Sequence, residues 1–377
     1  MIPSSLPPHG HSPLRTVQVL GGGNAGSSVH VRTLTAGLVA RGVRVTVCAP
    51  AEADHAYDFT GAGADHVHVP RSSDPVSVAA LRTVCANADL VHAHGLHASF
   101  RAALALSGRP TPLVVTWHNR NHAEGPRAHL LRILERRVVR AATVVLGTSS
   151  DLVDRARHRG ARDARLAAVA VPAPGRMGAG REPERLRSKA RAELGAVGRP
   201  LLVAVGSLDR HRGYEVLLDA AREWRGLDPV PQVVIAGEGQ LRERLQRRIT
   251  DEDLPVRLVG RREDARELIA AADLALLPGR WESRSVLAQE ALHARVPLVA
   301  TDVGGMRELV GDAGVLVPYG DAEALADAVA RLLADPRRCA LLADRGVRQT
   351  ATWPTEDETV AQVLSVYDEL TQPRVFP

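Results

Sequence analysis

The stretch DLALLPGRWESRSVLAQEALHARVPLVAT, residues 273–301, sets two short apolar runs on either side of a helical pattern. DLALLP and VPLVAT read as strands. Between them, Ser283 or Ser285 can cap a helix running through Val286, Leu287, Glu290, Ala291 and Leu292. Near-continuous apolar strands joined by a helix are what a parallel sheet covered on both faces requires. A helix that starts right after a strand end aims unpaired backbone N–H groups beyond the sheet, where they suit a phosphate. Glu282 precedes that anion site and Glu290 lies about two turns further on.

The same alternation extends in both directions. Candidate strands of the first half are TVQVL (16–20), VRVTV (43–47), HVHV (66–69), DLVHAH (89–94), PLVVTW (112–117) and ATVVLG (142–147). Those of the second half are PLLVAVG (200–206), PQVVIAG (231–237), VRLVG (256–260), DLALLP, VPLVAT and GVLVP (314–318). Helical patterns separate most of them, such as SVHVRTLTAGLVARG, where Val31, Leu34, Leu38 and Val39 share a face. AVPAPGRMGAGREPE (170–184) has a linker's composition. The expectation is an α/β chain of two Rossmann-like, doubly wound domains facing across a deep interdomain cleft. Its parts are a tail (1–14), an N-terminal domain (15–172), a linker (173–184), a C-terminal domain (185–354) and a final helix (355–377) that packs back on the N-terminal domain. Ligands of such folds bind beyond the C-terminal strand ends.

Composition narrows the classes. The chain has 377 residues, 45% of them hydrophobic and 24% charged, which describes a globular protein of two ordinary cores. No apolar run spans a bilayer, and MIPSSLPPHGHSPLR lacks the apolar core of a signal peptide. Cys48, Cys85 and Cys339 have no metal-ligand spacing, so a reducing cytoplasm is the expected location. The net charge of +5 comes almost wholly from arginine, Lys189 being the single lysine. That balance suits phosphate-bearing ligands. Aromatics at 3% leave no stacking platform for nucleic acid, so none is expected as a partner.

Three more turns follow strand ends in the second half: VAVGSLDRHRGYEVLLDA (203–220), IAGEGQLRERL (235–245) and TDVGGMREL (301–309). Arg210 and Arg212 precede Gly213 in the first and can neutralise a diphosphate. Gly304 and Gly305 in the last can bring backbone close to a ligand. A carboxylate accepts two hydrogen bonds from vicinal hydroxyls, so amide donors flanked by Glu282 and Glu290 match a nucleoside diphosphate sugar. On spacing alone, a helix with one exposed and one partly buried glutamate accounts for the pair as well. In the first half, VHAHGLH holds His92, His94 and His97, and TWHNRNH holds His118 and His122. No carboxylate or Cys cluster accompanies them, so no metal is assigned. His92 reads as a polar residue lining a strand tip. DED (251–253) fits a D-x-D pattern but precedes a strand, at the wrong end for the site, and reads as solvated charge. RAHLLRILERRVVR (127–140) places Leu130, Leu131, Leu134 and Val138 on one face and Arg132, Arg136 and Arg140 on another. It reads as a helix packed on the sheet, with weak peripheral membrane contact as the alternative.

From GGGNAGSSVHVRTLTAGLVARGVRVTV through VVTWHN, VGSLDRHRG, WESRSVLAQEAL and VATDVGGMREL the chain resembles the retaining GT-B glycosyltransferases of family GT4. The resemblance implies an acceptor-binding N-terminal and a donor-binding C-terminal domain. It implies that Glu290 binds the donor ribose, that Glu282 contacts the transferred sugar or its phosphate, and that the amides of Arg284, Ser285, Val286 and Leu287 hold the diphosphate. Arg212 matches the family's phosphate-binding lysine. Gly260 and Arg261 match its base-recognition turn, with Gly237 at the neighbouring strand end, and Gly22, Gly23 and Gly26 match its glycine loop. His118 matches the histidine at the reaction centre, with His94, His97 and Asn119 as weaker acceptor-site candidates. Two departures stand out: Ser207 where the family usually has arginine, and Ser283-Arg284 where a glycine usually follows the first glutamate. Arg210 or Arg284 can offset the lost cation. The implied activity is transfer of a sugar from a nucleotide diphosphate donor to a hydroxyl of a small molecule, glycolipid or glycan, with retention and without metal or other cofactor. The alternatives are a sugar-nucleotide epimerase, with Asp89 and Glu124 as the nearest acids, and a non-catalytic scaffold of the same fold. Sugar, base, linkage and oligomeric state have no readable code.

Overall fold

A computed structural model describes residues 13–21, 25–120, 125–170 and 181–372. Gly22, Gly23, His122, Glu124, most of the tail and the linker segment 171–180 lie outside the described residues. Contacts divide the chain into two units, one of residues 1–147, 153–170 and 354–377, the other of 148–152 and 171–353.

The first unit carries a parallel sheet of β1 (Arg15–Leu20), β2 (Arg44–Ala49), β3 (Asp65–His68), β4 (Leu90–His94), β5 (Leu113–Trp117), β6 (Val144–Gly147) and β7 (Ala164–Leu166). Their order is β3-β2-β1-β4-β5-β6-β7, so the winding reverses between β1 and β4. Every residue of β4 and β5 is buried, as strands covered on both faces demand. The helix Ala25–Val39 buries Val31, Leu34 and Leu38 against this sheet. The last described helix, Glu356–Thr371, opens with a Thr355–Glu358 capping box and sends Val360, Val363, Val366 and Tyr367 into the same core. A side chain at Gly37 would run into Val360, so glycine is what lets these two helices approach.

The helix Pro126–Ala141 departs from expectation. Leu130 and Ile133 are exposed, and the buried face is formed by Glu135, Val138 and Val139. Glu135 is a buried carboxylate held by Arg155 and Arg159, each at 2.7 Å. Two partners compensate a charge that would otherwise be costly to desolvate.

The second unit repeats the scheme with β8 (Leu201–Val205), β9 (Gln232–Ala236), β10 (Val256–Leu258), β11 (Leu274–Leu277), β12 (Leu298–Thr301) and β13 (Gly314–Val317). Their order is β10-β9-β8-β11-β12-β13, all parallel, with the reversal between β8 and β11. Apolar clusters flank the sheet; one centres on Trp224, Leu217 and Val329, the other on Leu268, Leu292 and Met306. DED lies at the N-terminal end of β10. Glu252 there is paired with Arg248 and Arg222, while Asp251 and Asp253 are exposed.

Candidate functional site

In each unit the candidate residues gather where the winding reverses, the point at which loops diverge beyond the strand ends and leave room for a ligand. In the second unit that point lies between β8 and β11. After β8, Arg210–Arg212 forms one turn of 3-10 helix, followed by Gly213 at φ 72°. Any side chain at Gly213 would collide with the Pro278 carbonyl, and Arg280 N donates to His211 O at 2.8 Å. The loop after β8 is thus fastened to the loop after β11. The consequence is the pairing of Arg212 Nη1 with Glu282 Oε1. Burial pushes the Glu282 carboxyl above its ordinary value, and Arg212 opposes that rise. Arg212 Nε is buried with no hydrogen-bond partner among the described residues.

Glu282 is also held through its backbone. Gly305 N donates to its carbonyl at 2.8 Å, and Gly304, at φ 57°, packs so closely on that carbonyl that no side chain fits. The glycine pair that sequence read as space for a ligand here makes space for Glu282 itself.

Ser285, not Ser283, caps the helix Val286–His293, accepting from Ala288 N at 3.4 Å. Gln289 is fully buried, and its amide donates to the carbonyls of Arg284 and Ser285, both at 3.1 Å. That bond fixes the helix start from inside. Val286, the first residue of that helix, is exposed, while Ser285 and Leu287 on either side of it are buried. Glu290, in the second turn, is 8% exposed and accepts from Arg266 Nε at 2.7 Å. Sequence reasoning missed Arg266 and Gln289. Arg266 sits on a separate short helix, Ala265–Ala271, with no local signal tying it to Glu290.

The ends of β8, β9 and β10 align beside this turn. Gly237 N donates to Gly260 O at 2.7 Å and Leu208 N to Glu238 O at 2.9 Å, which brings Ser207, Gly237, Gly260 and the exposed Arg261 to one edge. Arg210 is exposed. Arg284 differs: burial lowers its guanidinium's affinity for a proton, against the pull of Glu308, and its Nε and Nη2 are buried with no hydrogen-bond partner among the described residues.

In the first unit the reversal lies between β1 and β4. His94 ends β4, His118 follows β5, and His30 projects from the helix Ala25–Val39, whose exposed Gly26 lies in its first turn. Nitrogens of His30, His94 and His118 all lie within 4.8 Å of one another. Burial, and then neighbouring imidazoles, push His94 and His118 well below the usual histidine value. Neutral imidazoles are the form that ligates a transition metal. Yet His94 Nδ1 and His118 Nε2 lie 3.2 Å apart, so a shared proton already joins those two. Sequence missed His30; its only signal was a place one turn past the glycine loop. His92 does not line a strand tip. It is fully buried, hydrogen-bonded to Tyr367 and Thr116. His97 and Asn119 are exposed, and neither belongs to the histidine trio. Asp89 sits at the opposite end of the sheet, paired with Arg15 at 2.9 Å.

Comparison with known proteins gives the family. Residues 25–172 match the glycosyl transferase 4-like domain and residues 199–335 match glycosyl transferases group 1. The chain is 31% identical over 283 residues to the α-D-kanosaminyltransferase of Streptomyces kanamyceticus, covering 69% of this chain and 71% of that one. It is 33% identical over 318 residues to a D-inositol 3-phosphate glycosyltransferase of Salinispora tropica, covering 74% and 64%. Among solved structures, HepE of Anabaena in complex with UDP superposes with a TM-score of 0.76 at 20% identity, over 94% of this chain and 100% of that one. Sucrose-phosphate synthase of Thermosynechococcus elongatus gives 0.76 at 19% identity, over 95% and 99%. These two doubly wound units are those of the GT-B fold, and the chain belongs to the group 1 glycosyltransferases.

Proposed function

We propose that this glycosyltransferase moves its sugar from a nucleoside diphosphate to an acceptor hydroxyl with retention of anomeric configuration and without a divalent cation. The observation that carries the reading is the Arg212–Glu282 pair, with Glu282 four residues before the start of the helix Val286–His293. Arg212 and the helix amides stabilise the charge that develops on the leaving diphosphate. The C1–O bond to phosphate breaks as the acceptor oxygen bonds to C1 on the same face, and the acceptor proton passes to a phosphate oxygen. Glu290 accepts from the ribose hydroxyls. His118 supports the sugar or the acceptor. UDP in the HepE complex supports a nucleoside diphosphate, and the D-inositol 3-phosphate glycosyltransferase of Salinispora tropica supports a polyhydroxylated acceptor. An epimerase would need an acid in the first unit; of its two candidates, Asp89 is tied up at the far end of the sheet and Glu124 lies outside the described residues.

Incubation with UDP-, GDP- and dTDP-sugars, followed by NMR, tests the reading. Slow hydrolysis should release first the anomer present in the donor. Release of the opposite anomer would overturn retention, interconversion of sugars would show an epimerase, and silence with every donor a scaffold. The rate should be unchanged in EDTA; loss there with recovery on magnesium or manganese would overturn metal independence.

Ser207 calls for its own test. Its hydroxyl gives a phosphate one neutral hydrogen bond, where an arginine gives a charged fork. With Arg210 or Arg284 as the second cation, Ser207→Arg should change donor affinity little, and alanine at the true substitute should weaken it. Arg284 stands beside Arg210 in this comparison because two of its donors are buried with no partner among the described residues. Tighter donor binding in Ser207→Arg, with no effect of either alanine, would show a site short of a cation.

A further inference from the structure

One hydrogen-bonded path crosses the first unit from its last helix to His118. Tyr367 is fully buried on the helix Glu356–Thr371, and Gln18 Nε2 donates to its hydroxyl at 2.9 Å. The other end of that amide, Gln18 Oε1, lies 3.0 Å from His94 Nε2. His94 Nδ1 lies 3.2 Å from His118 Nε2. A branch joins the Tyr367 hydroxyl to His92 Nδ1 at 2.8 Å, and His92 Nε2 to Thr116 Oγ1 at 2.7 Å. Burial, then neighbouring imidazoles, hold His94 and His118 far below the usual value and His92 at about 3, so each ring carries one proton at neutral pH. A neutral imidazole has one N–H and one lone pair; fixing one of its bonds fixes the other.

The direction of each link follows from the one before. Gln18 gives its NH₂ to Tyr367, so its carbonyl faces His94 and accepts the Nε2–H. His94 is left with a lone pair at Nδ1, which accepts. The donor is therefore His118 Nε2–H, and Nδ1 is the accepting nitrogen of His118. On the branch, Tyr367 has accepted from Gln18, so it donates to His92 Nδ1, and His92 Nε2–H donates to Thr116. No two donors and no two acceptors face each other anywhere on the path. Turning the Gln18 amide over would reverse every link and move the His118 proton to Nδ1.

We propose that Tyr367 and Gln18 are positioning residues that set the tautomer of His118, with its proton on Nε2 and its lone pair on Nδ1. The proposal rests on the reading of His118 as the reaction-centre histidine. A histidine in the wrong tautomer fails in its role even with its geometry kept, which gives a buried residue of a distant helix a hold on the chemistry.

Histidine-selective ¹⁵N labelling of the whole protein, with two-bond ¹H–¹⁵N correlation spectra, reads each tautomer without reference to activity; His118→Gln assigns the signal. The expected result is a protonated Nε2 on His118. In Tyr367→Phe the amide loses its anchor, so His94 and His118 should each populate both tautomers, and kcat should fall about tenfold at an unchanged donor KM. Gln18→Met removes the same link from the other side and serves where Tyr367→Phe does not fold. A His118 proton on Nδ1 in the unmodified protein, or a single unchanged tautomer in both variants, would overturn the proposal. Mixed tautomers with undiminished kcat would uphold the wiring and remove His118 from the reaction centre.

Discussion

Arg212→Ala should lower kcat by about two to three orders of magnitude, the loss expected when a group that stabilises developing charge is removed. Two effects add in this variant. The leaving diphosphate loses the cation fastened to the loop after β11, and Glu282 loses the partner that opposes the upward push of burial on its carboxyl. Glu282 should then hold a proton to higher pH than in the parent, so the acid limb of the kcat profile moves upward. Arg212→Lys keeps the charge without the fork of donors and should recover part of the rate. Steady-state kinetics across pH, with a melting curve to show that the fold persists, checks the expectation. An unchanged kcat in Arg212→Ala would remove Arg212 from the reaction.

Glu290→Gln should weaken binding of the free nucleoside diphosphate by one to two orders of magnitude, which is about 1.5–3 kcal/mol for a charged hydrogen bond. Glutamine keeps one carbonyl acceptor and turns the other position into a donor, which a ribose hydroxyl meets less well. The fold itself should hardly notice. Arg266, the partner of Glu290, is 51% exposed at its side chain and can be solvated when the pair is lost, and a pair with one exposed member contributes roughly 0–1 kcal/mol. Arg266→Ala is the control, with an expected effect on affinity several times smaller. Calorimetric titration decides. An unchanged dissociation constant in Glu290→Gln would take Glu290 out of the ribose site.

The sheets were legible in the sequence because their strands are buried on both faces, as VVLG of β6 and LALL of β11 are, and so read as unbroken apolar runs. The cap at Ser285 and the glycine turns were legible for a similar reason: each acts within a few residues of itself. Partners were not. Arg212 with Glu282, Arg266 with Glu290, Glu135 with Arg155, and Tyr367 with Gln18 join residues on different elements. Periodicity assigns a residue to a face but does not say what the face meets. Leu130 shows the limit from the other side: its helical spacing put it on the apolar face, yet it is exposed, and the helix buries Glu135, Val138 and Val139 instead.

The helix Glu356–Thr371 packs into the first unit, yet the chain reaches it only after the whole of the second. A ribosome adding ~5–20 residues per second therefore needs about 10–40 s to go from residue 171 to residue 355. Through that interval the growing polypeptide has every strand of its first sheet but not the valines that close one side of it. The half made first is thus finished last, and the second unit can complete its own core sooner. During synthesis the uncovered seam beside Leu34 and Val31 is the surface a chaperone would find. The same order holds for His118: in the wiring set by Tyr367, its proton reaches its final position only when the last helix docks.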